Sequence, residues 1–261
     1  PAGGGDARPV KPWRSVLLKR GDRLAIGAVE DGSVAYLAIE GGFAIAPFMG
    51  SFSTYMRSGL GGFQGRALQA GDRLPLNKVA QEGDERELAD VIDYGSGPVR
   101  VVLGPQEDRF TEKGIQTFLS ATYTVTKEAD RMGIRLDGEV IEHTRGADIA
   151  SEGVVSGSIQ VPGNGKPIIL MADRQTTGGY TKIATVISAD LPRVGRMKPG
   201  DTLTFTAISV AEAEMIRREQ EKMLKRLADG IRTALPDVYL DLNALYTQNL
   251  ISGMVDACSG E

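Results

Sequence analysis

The chain has 261 residues, of which 41% are hydrophobic and 25% charged, and its formal net charge is −4. That supports a real core in one large or two moderate domains, and mild acidity with scattered basic residues leaves no electrostatic footprint for nucleic acid. No apolar run is long enough to span a membrane, and the opening PAGGGDARPVKPW has neither the charged nor the apolar region of a signal peptide. The first residue is Pro1 rather than Met, which reads as a fragment or a processed chain, and the expected location is cytoplasmic.

A single cysteine, Cys258, excludes an internal disulfide framework and a Cys-rich metal site. A single histidine, His143, excludes a multi-histidine metal site and is the sole candidate base for a Ser-His-Asp triad. Its setting, EVIEHTRGADI, is polar and turn-like, so a solvated or structural role is expected, with no metal centre. Any chemistry then runs on Asp, Glu, Arg, Lys, Tyr, Gln, Thr or backbone groups.

In chain order, RGDRLAIG contains the first of three Gly-Asp-x-Leu sequences, at Gly21, Gly71 and Gly200. Each reads as a turn feeding a strand, Gly supplying a permissive backbone and Asp a bond to its own main chain. Ser33–Ile39 (SVAYLAI) is the next strand candidate, rich in the residues strands favour. Residues Asn77–Pro98 are acidic and turn-rich, and a domain boundary is expected near Gly95–Pro98. Then come a strand at Val99–Leu103, a short helix within Asp108–Ala121, and strands at Thr122–Thr126 and Ile134–Leu136. Glu128, Asp130 and Arg131 are expected to pin a turn. Two more strands follow, Ile168–Ala172 and Ile183–Ala189. From Val210 to about Ile231, Ile216, Met223, Leu224, Leu227 and Ile231 mark one helical face, with Glu214–Arg218 and Glu221–Lys225 as i,i+4 pairs. The tail beyond it could pack back on the body or on a partner. The expected class is mainly β, with a C-terminal helix and one or two short ones.

Three segments carry hydrogen-bonding groups beyond what a turn needs. In ADRQTTGGY, the paired Gly178 and Gly179 permit close approach or positive φ. Asp173, Arg174, Gln175, Thr176 and Thr177 make this either a polar ligand wall or an elaborately capped loop. GSIQVPGNGKPI reads as a strand, a Pro-directed turn and a hairpin-like return that could bring Gln160 to that loop. MGSFSTYMRSGLGGFQGRALQAGD sets Arg57 and Arg66 among glycines. It is as readable as a turn-rich structural loop as it is as an anion cradle, and it matches neither the Walker nor the dinucleotide pattern.

Together these segments closely resemble the signature of the allophanate-hydrolase-subunit-2 family, also called the biotin-dependent carboxyltransferase family. GDRLAIG, AYLAIEGGF, VRVVLGPQEDRF, TYTVTKEADRMGIRLDG and SEGVVSG fall in the same order, so the resemblance spans about residues 10–208. It implies two β-barrel-like halves, the second cyclophilin-like, with a cleft between them. The expected division is an incomplete first half at residues 1–97, the cyclophilin-like half at 98–209, and a C-terminal helix and tail at 210–261. The family's usual opening segment is absent, so the N-terminal part of the first half is expected to be missing. Arg196 stands where Gln is expected, and Thr181 where Pro is usual.

The resemblance also implies a role. Family members include one component of the bacterial 5-oxoprolinase, which opens 5-oxoproline to glutamate with ATP hydrolysis. That component works beside a B-type sister subunit resembling allophanate hydrolase subunit 1 and an A-type, TIM-barrel-like subunit. On this reading the substrate is a small amide or lactam. Asp173 is a candidate base or the residue that orients Arg174, and Arg57 or Arg66 holds the substrate carboxylate. Gln160, Gln175, Thr176 and Thr177 read the amide, with Gly178, Gly179 and Tyr180 completing the wall. ATP is used by the complex, its binding subunit unread. The alternatives are a subunit for biotin-dependent carboxylation of urea or another amide, with carboxybiotin on a separate carrier, and a non-catalytic regulatory partner of the sister subunit.

Overall fold

The computed structural model describes residues 8–78 and 83–234. The expectations for the remainder of the tail, Cys258 included, and for positions 79–82 within the acidic segment lie outside the described residues. The strands in chain order are β1 (Thr54–Tyr55), β2 (Leu60–Gly61), β3 (Arg86–Leu88), β4 (Val99–Leu103), β5 (Tyr123–Val125), β6 (Gly133–Asp137) and β7 (Asp148–Gly153). Then follow β8 (Ser158–Gln160), β9 (Ile168–Leu170), β10 (Thr177–Tyr180), β11 (Lys182–Val186), β12 (Thr202–Leu203), β13 (Phe205–Ala207) and β14 (Ile231–Thr233). Helix α1 covers Glu112–Ser120, α2 Leu191–Val194 and α3 Val210–Asp229. The chain is mainly β with a C-terminal helix, as its sequence led us to expect.

The centre is one eight-stranded sheet ordered β12-β5-β6-β9-β8-β11-β4-β13. Its two edge strands belong to a single run of chain. β12 pairs antiparallel with β5 and β13 pairs parallel with β4, with only Thr204 between them. Because one segment serves both edges, the sheet curls into a nearly closed barrel and leaves little open edge to aggregate. The interior is lined by Val99, Val101, Ile134, Leu136, Ile159, Val161, Ile169, Ile183 and Val186, all buried. An aromatic trio fills one side, with the Phe118 and Phe205 rings 4.5 Å apart and Tyr123 and Phe205 5.7 Å apart. Burial raises the Tyr123 hydroxyl to about 12, with Glu139 adding to the effect.

Helix α1 begins at Thr111, whose side chain accepts from Gly114 N–H at 2.9 Å, a cap of the kind expected of Thr. It delivers Phe118 to the trio. Helix α3 opens with a capping box between Ser209 and Glu212. Ala213, Ile216, Gln220, Met223 and Leu227 are its half-buried stripe and no residue is fully buried, while Leu224, expected on the packed face, stays exposed at 45%. The expected Glu214–Arg218 pair is present at 3.5 Å, whereas Glu221 pairs with Arg217 at 3.1 Å. No helix among the described residues is long and apolar enough to cross a membrane.

The three Gly-Asp-x-Leu sequences form one and the same turn, although among the described residues only the one at Gly200 feeds a strand, β12. Gly21, Gly71 and Gly200 hold φ of 96°, 90° and 96°. The following aspartate accepts from the backbone N–H three residues earlier, Lys19 and Gln69 at 2.7 Å and Lys198 at 2.8 Å. Its own N–H closes the turn onto the same residue's carbonyl. Only glycine takes this backbone without strain.

The segment Ser33–Ile39 does not form the expected strand. Val34, Tyr36 and Leu37 are 47%, 91% and 52% exposed, and the segment joins no ladder among the described residues. Propensity for strand expresses a fit to a paired, half-buried surface, which this segment lacks. Within residues 8–98 the ladders are two-stranded: β1 with β2, and β3 with β14 from beyond α3.

Candidate active site

The segment Met171–Tyr180 leaves the barrel after β9 and returns as β10, pairing with β7 in a two-stranded antiparallel ribbon. The ribbon lies over Gln160 on β8 and Lys182 on β11. These two are directly opposite in the ladder and so share a face.

The two glycines do different work. Neither belongs to the positive-φ glycines, so close approach is the operative reading. A Cβ on Gly178 would overlap Gln160 Nε2 and stand 3.2 Å from Val154 Cγ1. At Gly179 the nearest atoms, Ile149 O and Ser151 Oγ, are at 3.4 Å.

Gln160, 2% exposed, accepts from Gln175 Nε2 at 3.4 Å, so the hairpin does bring it to the polar loop. Its own Nε2 is buried with no hydrogen-bond partner, and such a donor is costly to leave unmade. Thr176 offers its carbonyl to Val154 N–H at 3.1 Å, locking the loop to the ribbon. Thr177 is exposed on β10, and Tyr180 is 42% exposed on the ribbon.

The expected partnership of Asp173 with Arg174 is replaced by another. Asp173 takes a two-point ion pair from Arg131, Nε to Oδ2 at 2.8 Å and Nη2 to Oδ1 at 2.9 Å. That bond holds the Asp173 carboxyl below its usual range against a smaller opposing effect of burial. Arg174 turns away, donating to Ser156 Oγ at 2.8 Å and Val154 O at 3.3 Å. The turn at Ala172–Asp173, closed by Arg174 N–H onto Met171 O at 3.3 Å, sends the two side chains to different non-local partners. Asp130 pins its turn by accepting from Met132 and Gly133 N–H at 2.8 and 3.1 Å, as its sequence suggested.

The two arginines expected to grip a carboxylate are both engaged. Arg57 donates to Asp130 at 3.2 Å, placing it beside the Arg131–Asp173 pair, though outside the Gln160 contact. Arg66 is closed on Asp72 by two bonds of 2.8 Å and on Gln64 Oε1 at 2.7 Å, and its contacts stay within its own loop. The Arg66 bond lowers the Asp72 carboxyl to about 2. The surrounding glycines are filled by their own chain. A Cβ at Gly62 would strike Thr54 Oγ1, and one at Gly65 would strike Gly59 O. These two glycines therefore make room for the loop's own packing. Among the described residues no cluster of three or more His, Cys, Asp or Glu is arranged for a metal.

Sequence reasoning missed Lys182, Glu152, Gln106 and the Arg131 partnership. Lys182 is 3% exposed, and its ammonium donates to Glu152 Oε1, which also accepts from Gln106 Nε2. Those two bonds hold the Glu152 carboxyl below its usual range. Gln106 Oε1 accepts Lys182 N–H at 3.1 Å. The signal was a lysine heading an otherwise uncharged strand, KIATV, because lysine is almost never fully buried unless paired. His143 is structural, as its setting suggested. Its Nε2 lies 3.1 Å from both Val161 O and Thr181 Oγ1, its ring packs tilted against Phe110 with centroids 4.6 Å apart, and burial lowers its pKa. Thr181, in place of the usual proline, donates its N–H to Ala147 O at 2.8 Å. Arg196 bonds Asp31 at 2.9 Å and lies 3.9 Å from the centre of the Tyr94 ring, joining the barrel to the N-terminal segment.

A family model described as the carboxyltransferase domain, subdomain A and B, matches residues 4–207. The chain belongs to that family. The C subunit of the 5-oxoprolinase of Escherichia coli (strain K12) is 36% identical over 216 residues, 83% of this chain and 69% of that protein. The same subunit from Haemophilus influenzae is 35% identical over 226 residues, 85% of this chain and 71% of that protein. Among solved structures, the K. lactis urea amidolyase superposes with a TM-score of 0.73 at 28% identity. That match covers 84% of this chain but only 15% of the amidolyase.

Proposed function

We propose that this chain acts as the C-type subunit of a bacterial-type 5-oxoprolinase, in the cytoplasm, in complex with a B-type sister subunit and an A-type, TIM-barrel-like subunit. The complex would open 5-oxoproline to L-glutamate at the cost of ATP. The observation that carries this reading is the 36% identity to a 5-oxoprolinase C subunit across 69% of that protein's length.

The site has the chemistry a lactam needs. Gln160 offers a buried donor without a partner, Gln175 a second carboxamide beside it, and Thr176 and Thr177 hydroxyls at the rim. A donor fixed in a water-poor site is worth most where charge develops on a carbonyl oxygen. Asp173, kept ionised by Arg131, positions the loop that carries these groups. On this reading ATP is used by the complex as a whole.

The K. lactis likeness supports a second reading, carboxyl transfer to urea or a related amide. Carboxybiotin on a separate carrier would then supply the activated carboxyl group, with Gln160 and Lys182 as the donors suited to hold it. Reconstitution of the full-length chain with both sister subunits distinguishes the two readings. Glutamate release from 5-oxoproline and ATP that stops when this chain is omitted supports the first. Release that is absent, with carboxylation of urea by carboxybiotin present, replaces it with the second.

A further inference from the structure

The two readings share a requirement. 5-Oxoproline carries a carboxylate beside its lactam, and a carboxylated urea carries one on its amide nitrogen, so either ligand needs a cation next to the amide reader. Arg66 is closed on Asp72, and Arg57 on Asp130. The cation that stands next to Gln160 is Lys182, its cross-strand partner.

We propose that Lys182, with Gln106 and Gln160, is the carboxylate-recognition site of this chain, and that Glu152 occupies it as an internal substitute until a ligand carboxylate displaces it. The proposal deepens the functional reading above and rests on it for the lactam as ligand. Lys182 is buried, so its ammonium needs a hydrogen-bond acceptor and favours a negative one. Glu152 supplies one in the manner of a bound ligand. A single carboxylate oxygen takes both the Lys182 Nζ and Gln106 Nε2 donors. Yet the Glu152 side chain is 46% exposed while that of Lys182 is 3% exposed. It sits on β7, a mostly exposed strand of the ribbon, so it can swing out and rehydrate at little cost. Gly178, across from Glu152 in that ribbon, brings its backbone against the Gln160 carboxamide, where any side chain would overlap Nε2. A carboxylate entering at Lys182 then leaves the ligand amide beside the Gln160 donor that has no partner.

The test is titration of the full-length chain, in complex with its sister subunit, with ligand pairs differing only in the carboxylate. 5-Oxoproline is compared with pyrrolidin-2-one, and N-carboxyurea with urea. The native protein should prefer the carboxylate member. Lys182→Met should weaken that member by about tenfold or more, as loss of a charged hydrogen bond does, and leave the neutral member unchanged. Lys182→Arg should retain part of the preference, and Glu152→Gln should tighten the carboxylate ligand by freeing the ammonium. Melting curves establish that each variant is folded, and Glu152→Gln, isosteric and on the surface ribbon, reads the proposal even if Lys182→Met does not fold. Preference retained in Lys182→Met, or weakened binding in Glu152→Gln, would overturn it. If the native protein binds neither 5-oxoproline nor pyrrolidin-2-one, the lactam reading fails, and the urea pair puts the same question to Lys182. No carboxylate preference in either pair would overturn the proposal itself.

Discussion

A methyl group added at Gly178 should be resisted by the site rather than by the backbone. Gly178 is not among the positive-φ glycines, so alanine is conformationally allowed there. By itself, restricting the unfolded chain would then stabilise the fold by about 0.4–1 kcal/mol. Against this, the new Cβ overlaps Gln160 Nε2 and approaches Val154 Cγ1 at 3.2 Å. Neither neighbour can yield into solvent, since Gln160 is 2% and Val154 6% exposed. Overpacking of this kind costs about 1–3 kcal/mol, so Gly178→Ala should destabilise by a net ~1–2 kcal/mol. In a chain of this size that lowers the melting temperature by about 3–6 °C. Gly179→Ala is the internal control. Its nearest neighbours stand at 3.4 Å, ordinary contact, so the change should stay within about 0.5 kcal/mol. Removing the obstacle should restore the first variant. In Gly178→Ala/Gln160→Ala the two effects should fall short of additivity by ~0.5 kcal/mol or more, as expected for residues in contact. Calorimetric melting of the native chain, the three single variants (Gln160→Ala included) and the double variant decides it. Equal behaviour of the two glycine variants, or strict additivity in the double variant, would refute the claim that Gly178 exists to make room for Gln160.

Three further outcomes follow from the geometry. Gly200→Ala, at φ 96° with no atom within 4 Å of the added Cβ, should lose about 1–2 kcal/mol through backbone strain alone, and an unchanged melting temperature would contradict the turn assigned there. Asp173→Ala and Arg131→Ala should couple by ~0.5–1 kcal/mol in a double-mutant cycle, modest because their side chains are 22% and 63% exposed, whereas Asp173→Ala and Arg174→Ala should show less coupling; the reverse ranking would restore the pairing read from sequence. His143 is held neutral by burial, its pKa below the unfolded 6.5. Protonation therefore favours the unfolded chain, and stability should be full above that value and fall as pH drops below it. Melting between pH 7.5 and 5.5 should show this loss against a His143→Gln background, and parallel curves would contradict it.

The parts legible from sequence were those governed by local rules. Val99–Leu103 is an apolar strand preceded by Gly95 and Gly97, and it formed as read. The three Gly-Asp-x-Leu turns needed only a permissive φ and a short acidic side chain. Helix α3 followed from its periodicity and charge order, although its packed stripe includes Gln220, which reaches Ala189 O at 3.0 Å. The failures were non-local. Ser33–Ile39 has strand composition, but pairing depends on a neighbour that local pattern cannot name. The ribbon strand Asp148–Gly153 (DIASEG) has no apolar alternation because it is mostly exposed, so nothing marked it. The contact of Gln160 with Gln175 was legible because the hairpin-like GSIQVPGNGKPI returns toward the dense ADRQTTGGY motif that also holds the glycine pair. Lys182 was passed over because its importance lies in burial and in Glu152, a residue 30 positions away. The Arg131 partner of Asp173, and the Asp130 and Asp72 partners of Arg57 and Arg66, could not be read for the same reason, since an ion pair is chosen by the fold and not by adjacency.

The most direct test of this account is a crystal structure of the full-length chain with its sister subunit, soaked or co-crystallised with 5-oxoproline. The account predicts the ligand beneath the β7–β10 ribbon, its carboxylate on Lys182 with Glu152 swung outward and its lactam on Gln160. A ligand bound at saturating concentration anywhere else, with the Lys182–Glu152 pair intact, would contradict it.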